Sequence, residues 1–292
     1  MASTAKLTVV VTGSTGKQGG AVARSLLERG HKVRALTRDP NSSQAKLLAN
    51  AGAALVAASL EDTAAIRKAL EGATSLFAMT TSFGGTDADI RQGIAAADAA
   101  KAAGAHLVFT SIGSANRQTG IPHFDSKYEI EKHIAKAGVR ATILAPVYFM
   151  ENLYFVKEQL AKGIYASALP PARSHAQIAV ADIGAVAVSV LEDAGRFTGK
   201  RFDLAGDELT GNDVMAILSR VTGRAFTYYQ VPLDVIRQRM GEDGVQMYEW
   251  FDRVGYAVDR AALHREFPGV TFHDFESWAK KQDWNVLLQK SS

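Results

Sequence analysis

The 292-residue sequence contains no cysteine. That absence excludes disulfides, thiolate nucleophiles, iron–sulfur clusters and every cysteine-based zinc site. Histidine is scarce too. The seven residues are scattered, with neither HxxxH nor HExxH spacing, so nothing points to a metal hydrolase. Charge of one sign is also missing: 33 basic against 30 acidic side chains leave +3, with no Lys/Arg-rich block and no helix-turn-helix pattern. Such a balance makes no nucleic-acid footprint. No uncharged apolar run is long enough to cross a bilayer, and the first residues lack the long apolar segment of a secretion signal. The expectation is a soluble, cytoplasmic protein without a metal, membrane or nucleic-acid partner.

What is present is the composition of a folded domain, with 47% apolar and 22% charged residues. The length suits one large domain with a smaller appendage. Buried-strand candidates are Leu7–Val11, Lys32–Thr37, Ala54–Ala57, Ser75–Met79, His106–Thr110 and Arg140–Leu144. Helix-like stretches separate them at Gln18–Arg29, Gln44–Asn50, Thr63–Leu70, Asp87–Ala103 and Asp125–Ala137. Near-continuous apolar strands alternating with helices imply an α/β fold: a doubly wound parallel sheet of Rossmann type, covered on both faces. Such sheets bind ligands at the carboxyl ends of their strands. After about residue 147 aromatics crowd in and Pro170-Pro171 breaks the chain. Ala181–Leu191 reads as one more helix and Arg201–Leu204 as a strand rejoining the sheet. Phe226–Val231 reads as a short strand in a tail that carries Trp250, Trp278 and Trp284. The expected division is a dinucleotide-binding domain from 1–150 and about 178–206. About 151–177 and 207–292 would form a smaller, mostly helical substrate or lid lobe.

Gly13, Gly16 and Gly19 are spaced GxxGxxG between the first strand and the first helix. Glycines there permit the tight turn, the approach of backbone N–H groups to a pyrophosphate and close helix–strand packing. The helix N-terminus adds its positive dipole end. An NAD-selective site places an acid about twenty residues past the last glycine. Here the nineteenth position (38 − 19) is Arg38, which suits a 2′-phosphate through a forked, charge-assisted contact. Asp39 follows and would serve NAD if the turn were shifted by one residue.

With Val11–Gly20, Arg38-Asp39-Pro40, Val108–Ser111, His123–Lys127, Pro146–Asn152 and Phe275–Trp278, the chain resembles the NmrA-like family of atypical short-chain dehydrogenases/reductases. The resemblance runs over essentially the whole sequence. It is nearest to the family's NADP-sensing, redox-sensor branch, and more distant from its quinone reductases and triphenylmethane reductase. It implies NADP(H) as cofactor. Gly13, Ser14, Thr15, Gly16, Lys17 and Gln18 would then hold the pyrophosphate and Arg38 the 2′-phosphate. Ser59 and Leu60 would flank the adenine, although relatives often carry an acid there. Thr80, Thr81 and Ser82 would line the cofactor after the fourth strand. Lys127 would contact the nicotinamide-side ribose, and Pro146, Val147, Tyr148 and Phe149 would frame the nicotinamide.

Ordinary short-chain reductases use Ser, Tyr and Lys, the last two as YxxxK on one helix. Tyr128–Lys132 has those letters, but the family alignment selects His123–Lys127. At about 100° per residue, His123, Lys127, Ile130 and Ile134 form one narrow, partly apolar stripe, while Lys132 falls nearly opposite on a charged face. The catalytic candidates are therefore His123 and Lys127, with histidine where the phenol usually stands; Ser111 matches the strand-end serine. Two functions remain open. One is an NADPH-dependent reductase of an electron-poor apolar acceptor, with Phe83, Tyr148, Phe149, Trp250 and Phe251 as aromatic walls. The other is a non-catalytic NADP(H) sensor acting through a protein partner. The expected partner is a small apolar or aromatic substrate, or none, and a homodimer stays open.

Overall fold

The computed structural model describes residues 6–81 and 84–288. Six parallel strands build the first half: β1 (Thr8–Val11), β2 (Lys32–Thr37), β3 (Ala54–Ala57), β4 (Ser75–Ala78), β5 (His106–Thr110) and β6 (Ala141–Pro146). The helices between them are α1 (Lys17–Glu28), α2 (Ser43–Asn50), α3 (Thr63–Leu70), α4 (Thr86–Ala102) and α5 (Pro122–Lys136). Val9, Val10 and Val11 are fully buried, as a strand covered on both faces requires. The Ser42 and Asp62 side chains cap α2 and α3 by accepting from the N–H of Ala45 and Ala65. Pro122 opens α5, where a missing N–H costs nothing.

The rest of the chain supplies β7 (Tyr148–Phe149), β8 (Ile164–Ser167), β9 (His175–Ile178), β10 (Arg201–Leu204), β11 (Asp207–Leu209) and β12 (Thr227–Gln230). Its helices are α6 (Lys157–Ala161), α7 (Val180–Glu192), α8 (Ala194–Phe197), α9 (Gly211–Thr222), α10 (Leu233–Arg253), α11 (Arg260–Glu266), α12 (Phe275–Lys280) and α13 (Trp284–Leu287). As expected, Arg201–Leu204 returns to the main sheet, beside β6.

The seven-stranded order is β10-β6-β5-β4-β1-β2-β3. The chain winds outward one way through β2 and β3, then crosses to β4 and winds the other way. The switch point therefore lies between β1 and β4. One apolar cluster, with Val22, Leu26, Ile183 and Val190, fills the face under α1 and α7. A second, with Ile66, Ala96, Ile130 and Ile134, fills the face under α3, α4 and α5. The C-terminal part is mainly helical, but it also contains pairings that local sequence does not announce. β9 joins β7 in parallel and β11 antiparallel, and β8 pairs with β12. Gly241 (φ 71°, ψ −169°) kinks α10. Among the described residues no helix is long and apolar enough to cross a membrane.

Candidate functional site

The ends of β1 and β4 are laced together at the switch point. Thr12 N–H donates to the Phe77 carbonyl at 3.0 Å, Thr12 Oγ1 donates to the Met79 carbonyl at 2.9 Å, and Met79 N–H returns a bond to that hydroxyl at 2.8 Å. The glycine loop rises from this lacing. Gly13 has φ +60°, and a Cβ there would meet Met79 Sδ at 2.2 Å. A Cβ at Gly19 would lie 2.4 Å from the Gly13 carbonyl oxygen, so loop and helix approach only because it is missing. Gly16, by contrast, is exposed at the N-cap of α1.

Three side chains of the loop and the first turn of α1 bond to the rest of the protein. Ser14 Oγ donates to the Leu36 carbonyl at 2.7 Å, tying the loop to β2, and Gln18 Nε2 donates to Thr110 Oγ1 at 2.5 Å, tying α1 to β5. Lys17 reaches the Glu151 carbonyl at 2.9 Å, with its ammonium 4.2 Å from the Phe155 ring centroid. Partial burial lowers its pKa, against the pull of Glu151. Gly16 N–H donates to the Gly13 carbonyl at 2.9 Å. Among the described residues no side chain caps the N-terminus of α1, whose first N–H groups and positive dipole end suit an anion.

Beyond β2, Arg38 is exposed. Asp39 is engaged in its own turn, its Oδ1 accepting from Asn41 N–H at 2.9 Å. Ser59 and Leu60, half-buried, follow β3 at the same edge. Thr80 is buried after β4 and Thr81 half-buried; Ser82 and Phe83 lie outside the described residues.

Two of the expected residues, Thr80 and Lys127, are brought together. The Lys127 ammonium donates to Thr80 Oγ1 and, at 2.7 Å, to Asp89 Oδ1. Asp89 is fully buried, and its second oxygen accepts from Ser126 Oγ at 2.6 Å. Burial lowers the Lys127 pKa while the Asp89 carboxylate raises it, and burial is the larger effect. Ile130 and Ile134 are buried on the same stripe. Lys132 lies on the other side, half exposed and paired with Glu129 at 2.6 Å.

His123 faces a different neighbour. Its Nδ1 meets Asp243 Oδ1 of α10 at 2.6 Å, so the imidazole links α5 to the C-terminal part of the chain. Ser111 donates to Glu131, whose other oxygen holds Arg201 at 2.9 Å. Arg201 also pairs with Asp203 and donates to the Ile112 carbonyl. Asp203 in turn accepts from the N–H of Ser114, which sits at φ 63°. The strand-end hydroxyl thus belongs to a buried ionic network that shapes the loop after β5. Burial raises the Glu131 pKa, and Arg201 opposes the shift.

Pro146 and Val147 are buried where β6 ends. Tyr148 and Phe149 then diverge. Phe149 packs into the core with Met79, whereas Tyr148 stands 5.0 Å from the His175 ring. Trp250 and Phe251 close over Phe124.

Sequence reasoning missed Asp89, Glu131, Arg201, Asp243 and His175. A signal existed for Asp89, the acid on an α4 stripe otherwise made of Gly93, Ala96 and Ala100. Glu131 sits four residues after Lys127, on the same side of α5. Nothing local marks Asp243 or His175.

Comparison with known proteins places this geometry. Quinone oxidoreductase 2 of Escherichia coli (strain K12) is 31% identical over 225 residues, covering 75% of this chain and 76% of that protein. The crystal structure of E. coli NADPH-dependent quinone oxidoreductase QOR2 with NADPH covers 93% of this chain and 98% of its own, at a TM-score of 0.77 and 26% identity. The fold is shared with Citrobacter sp. triphenylmethane reductase solved with NADP(H), at a TM-score of 0.78 and 20% identity over 94% of this chain and 99% of that one. It is also shared with NmrA, a negative transcriptional regulator solved with NADP, at 0.76 and 22% over 96% and 99%. The profile described as "NmrA-like family" matches residues 5–278, and the chain belongs to that family.

Proposed function

We propose that the chain binds NADP(H) across the β1/β4 switch point and reduces an electron-poor, fairly apolar acceptor such as a quinone, an enone or an iminium-like compound. The observation that carries this reading is the buried Lys127 ammonium beside Thr80, past the carboxyl end of β4, on the same sheet edge as the glycine loop and the uncapped N-terminus of α1. Dinucleotides span such a switch point. The residues fit the cofactor: Gly16 leaves the loop open, Arg38 is exposed at the end of β2, and Asp39 is engaged locally.

When bound, the cofactor supplies the hydride. The chain does the positioning. Loop N–H groups hold the pyrophosphate, Arg38 the 2′-phosphate, and Lys127 the ribose next to the nicotinamide. Pro146, Val147 and Tyr148 keep water from the reacting face. His123, fixed by Asp243, stands where other short-chain reductases carry their tyrosine, and a quinone needs little proton help as hydride arrives. The likeness to E. coli quinone oxidoreductase 2 supports this acceptor class.

Mixing the protein with NADPH and a panel of a quinone, an enone and a cationic dye tests the reading. Consumption of NADPH with at least one acceptor, well above the buffer rate, is expected. The same His123–Asp243 link favours a second reading, a cofactor sensor, because it joins the cofactor-side helix to α10. A sensor would bind NADPH and consume it no faster than buffer does, and that outcome would displace the reductase.

A further inference from the structure

Three buried side-chain polar atoms have no hydrogen-bond partner among the described residues: His106 Nδ1, His175 Nδ1 and Gln246 Oε1. His106 lies at the amino end of β5, away from the ligand edge, and its other nitrogen meets Thr142 Oγ1 at 3.0 Å. His175 is placed differently. It opens β9, the strand paired with β7, and β7 prolongs β6 past its carboxyl end.

The ring of His175, 8% exposed, is enclosed by aromatic neighbours. Its centroid is 5.0 Å from Tyr148, 4.6 Å from Phe251 and 5.5 Å from Tyr256. Tyr256 lies against the loop after β5, since a Cβ added at Gly113 would be 3.2 Å from its Cδ1 and 3.0 Å from Val147 Cγ1. The cluster therefore roofs the carboxyl ends of β5 and β6. Burial pushes the His175 pKa down to about 3, with Arg173 acting in the same direction. A neutral imidazole carries one N–H donor and one acceptor nitrogen. Buried polar atoms are rarely left without partners, and a phenylalanine would fill this space without leaving one.

We propose that His175 hydrogen-bonds the oxygen of a flat, uncharged aromatic acceptor seated against Tyr148, Phe251 and Tyr256. This rests on the reductase reading and narrows its acceptor class. Arg173, held by the Phe251 carbonyl at 3.0 Å, sets a positive charge against His175, while the Asp203 carboxylate beside Tyr256 is paired with Arg201. That balance selects against cationic dyes.

The test is a tryptophan-fluorescence titration with menadione, a bicyclic quinone, in the presence of NADP+, which has no hydride to give. 2-Methylnaphthalene, a similar ring system without oxygens, is the control. His175→Phe should weaken menadione binding about tenfold while leaving 2-methylnaphthalene and NADPH affinities within about twofold. His175→Asn, which keeps a hydrogen-bonding group, should recover part of the loss. Equal menadione affinity in the wild type and His175→Phe, or equal losses for both ligands, would overturn the proposal. Wild-type protein that binds menadione through His175 but consumes no NADPH with it would overturn the reductase reading and uphold the pocket.

Discussion

The glycine loop and the ends of β5 and β6 lie along one carboxyl edge of the same sheet, but different physics builds them. At the loop, glycines and a helix N-terminus make the ligand side, while Ser14, Lys17 and Gln18 brace it against Leu36, Glu151 and Thr110. Gly13 turns the chain, Gly19 lets α1 approach, and among the described residues no side chain caps the N-terminus of α1. At the far end, every group is placed by a partner distant in sequence: Lys127 by Asp89 and Thr80, His123 by Asp243, Ser111 by Glu131, Tyr148 by His175. A site built on glycines and a helix end can lose its ligand while the fold survives. A site built from buried, interlocked side chains loses stability with it.

Removing Lys127 should show that difference most strongly. Lys127→Ala leaves the Asp89 carboxylate buried without its cation, and breaking such a pair costs about 3–5 kcal/mol of stability, readable by urea unfolding. The double variant Lys127→Met, Asp89→Leu should regain most of that stability. It should still bind NADPH about ten- to a hundredfold more weakly, because the proposed charge-assisted ribose contact would be gone. Lys132→Ala, on the exposed face of the same helix, should change stability and affinity by less than about 0.5 kcal/mol. Reversed effects at the two lysines would mean that Tyr128–Lys132 is the functional pair.

The loop should behave in the opposite way. Gly16→Val sits at an exposed position whose φ of −89° any residue can adopt. Its Cβ would lie 3.3 Å from the Gly13 carbonyl oxygen, a contact that a small shift of the loop relieves, so the fold should survive. A branched side chain there blocks the pyrophosphate, and affinity for NADPH and NADH should both fall by at least about a hundredfold. Gly13 is a poorer probe, because its φ of +60° and the nearby Met79 sulfur make substitution structurally damaging. Normal binding by a folded Gly16→Val protein would remove the loop from the phosphate site.

The smallest of these contrasts is a pH effect. The His175 pKa is pushed from 6.5 down to about 3, so in that window the unfolded chain binds a proton that the native chain refuses. Stability is therefore lost as pH falls below about 6.5. His175→Phe should remove that proton and make the protein less sensitive to acid by about 2 kcal/mol between about pH 7 and about pH 5. Parallel pH profiles for the two proteins would show that His175 does not stay neutral in the fold.

The same contrast sets what was legible in the sequence. β2, β3, β5 and α3 fall where apolar runs and helix-like composition placed them, since both reflect local chemistry. The return of Arg201–Leu204 to the sheet was legible for the same reason. β7, β8, β9 and β11 were not, because short strands in the C-terminal part are defined by pairing rather than by their own composition. The α5 stripe correctly set Lys127 inward and Lys132 outward. The partners that hold Lys127 and His123 were beyond it, since helical periodicity says which face is buried and not what it meets. Lys17 and Gln18 were expected at the phosphate; their side chains brace the loop against Glu151 and Thr110, partners that the spacing of the glycines does not reveal.

The central claim is that the loop and Arg38 together form a site for NADP(H). Paired calorimetric titrations with NADPH and NADH, on the unmodified protein and on Arg38→Ala, test it most directly. The account predicts that NADPH binds more tightly than NADH by about 1.5–3 kcal/mol, the worth of a hydrogen bond to a charged group. It also predicts that Arg38→Ala erases most of that difference while NADH affinity stays nearly constant. Equal affinities in the unmodified protein, or no binding of either cofactor, would contradict it.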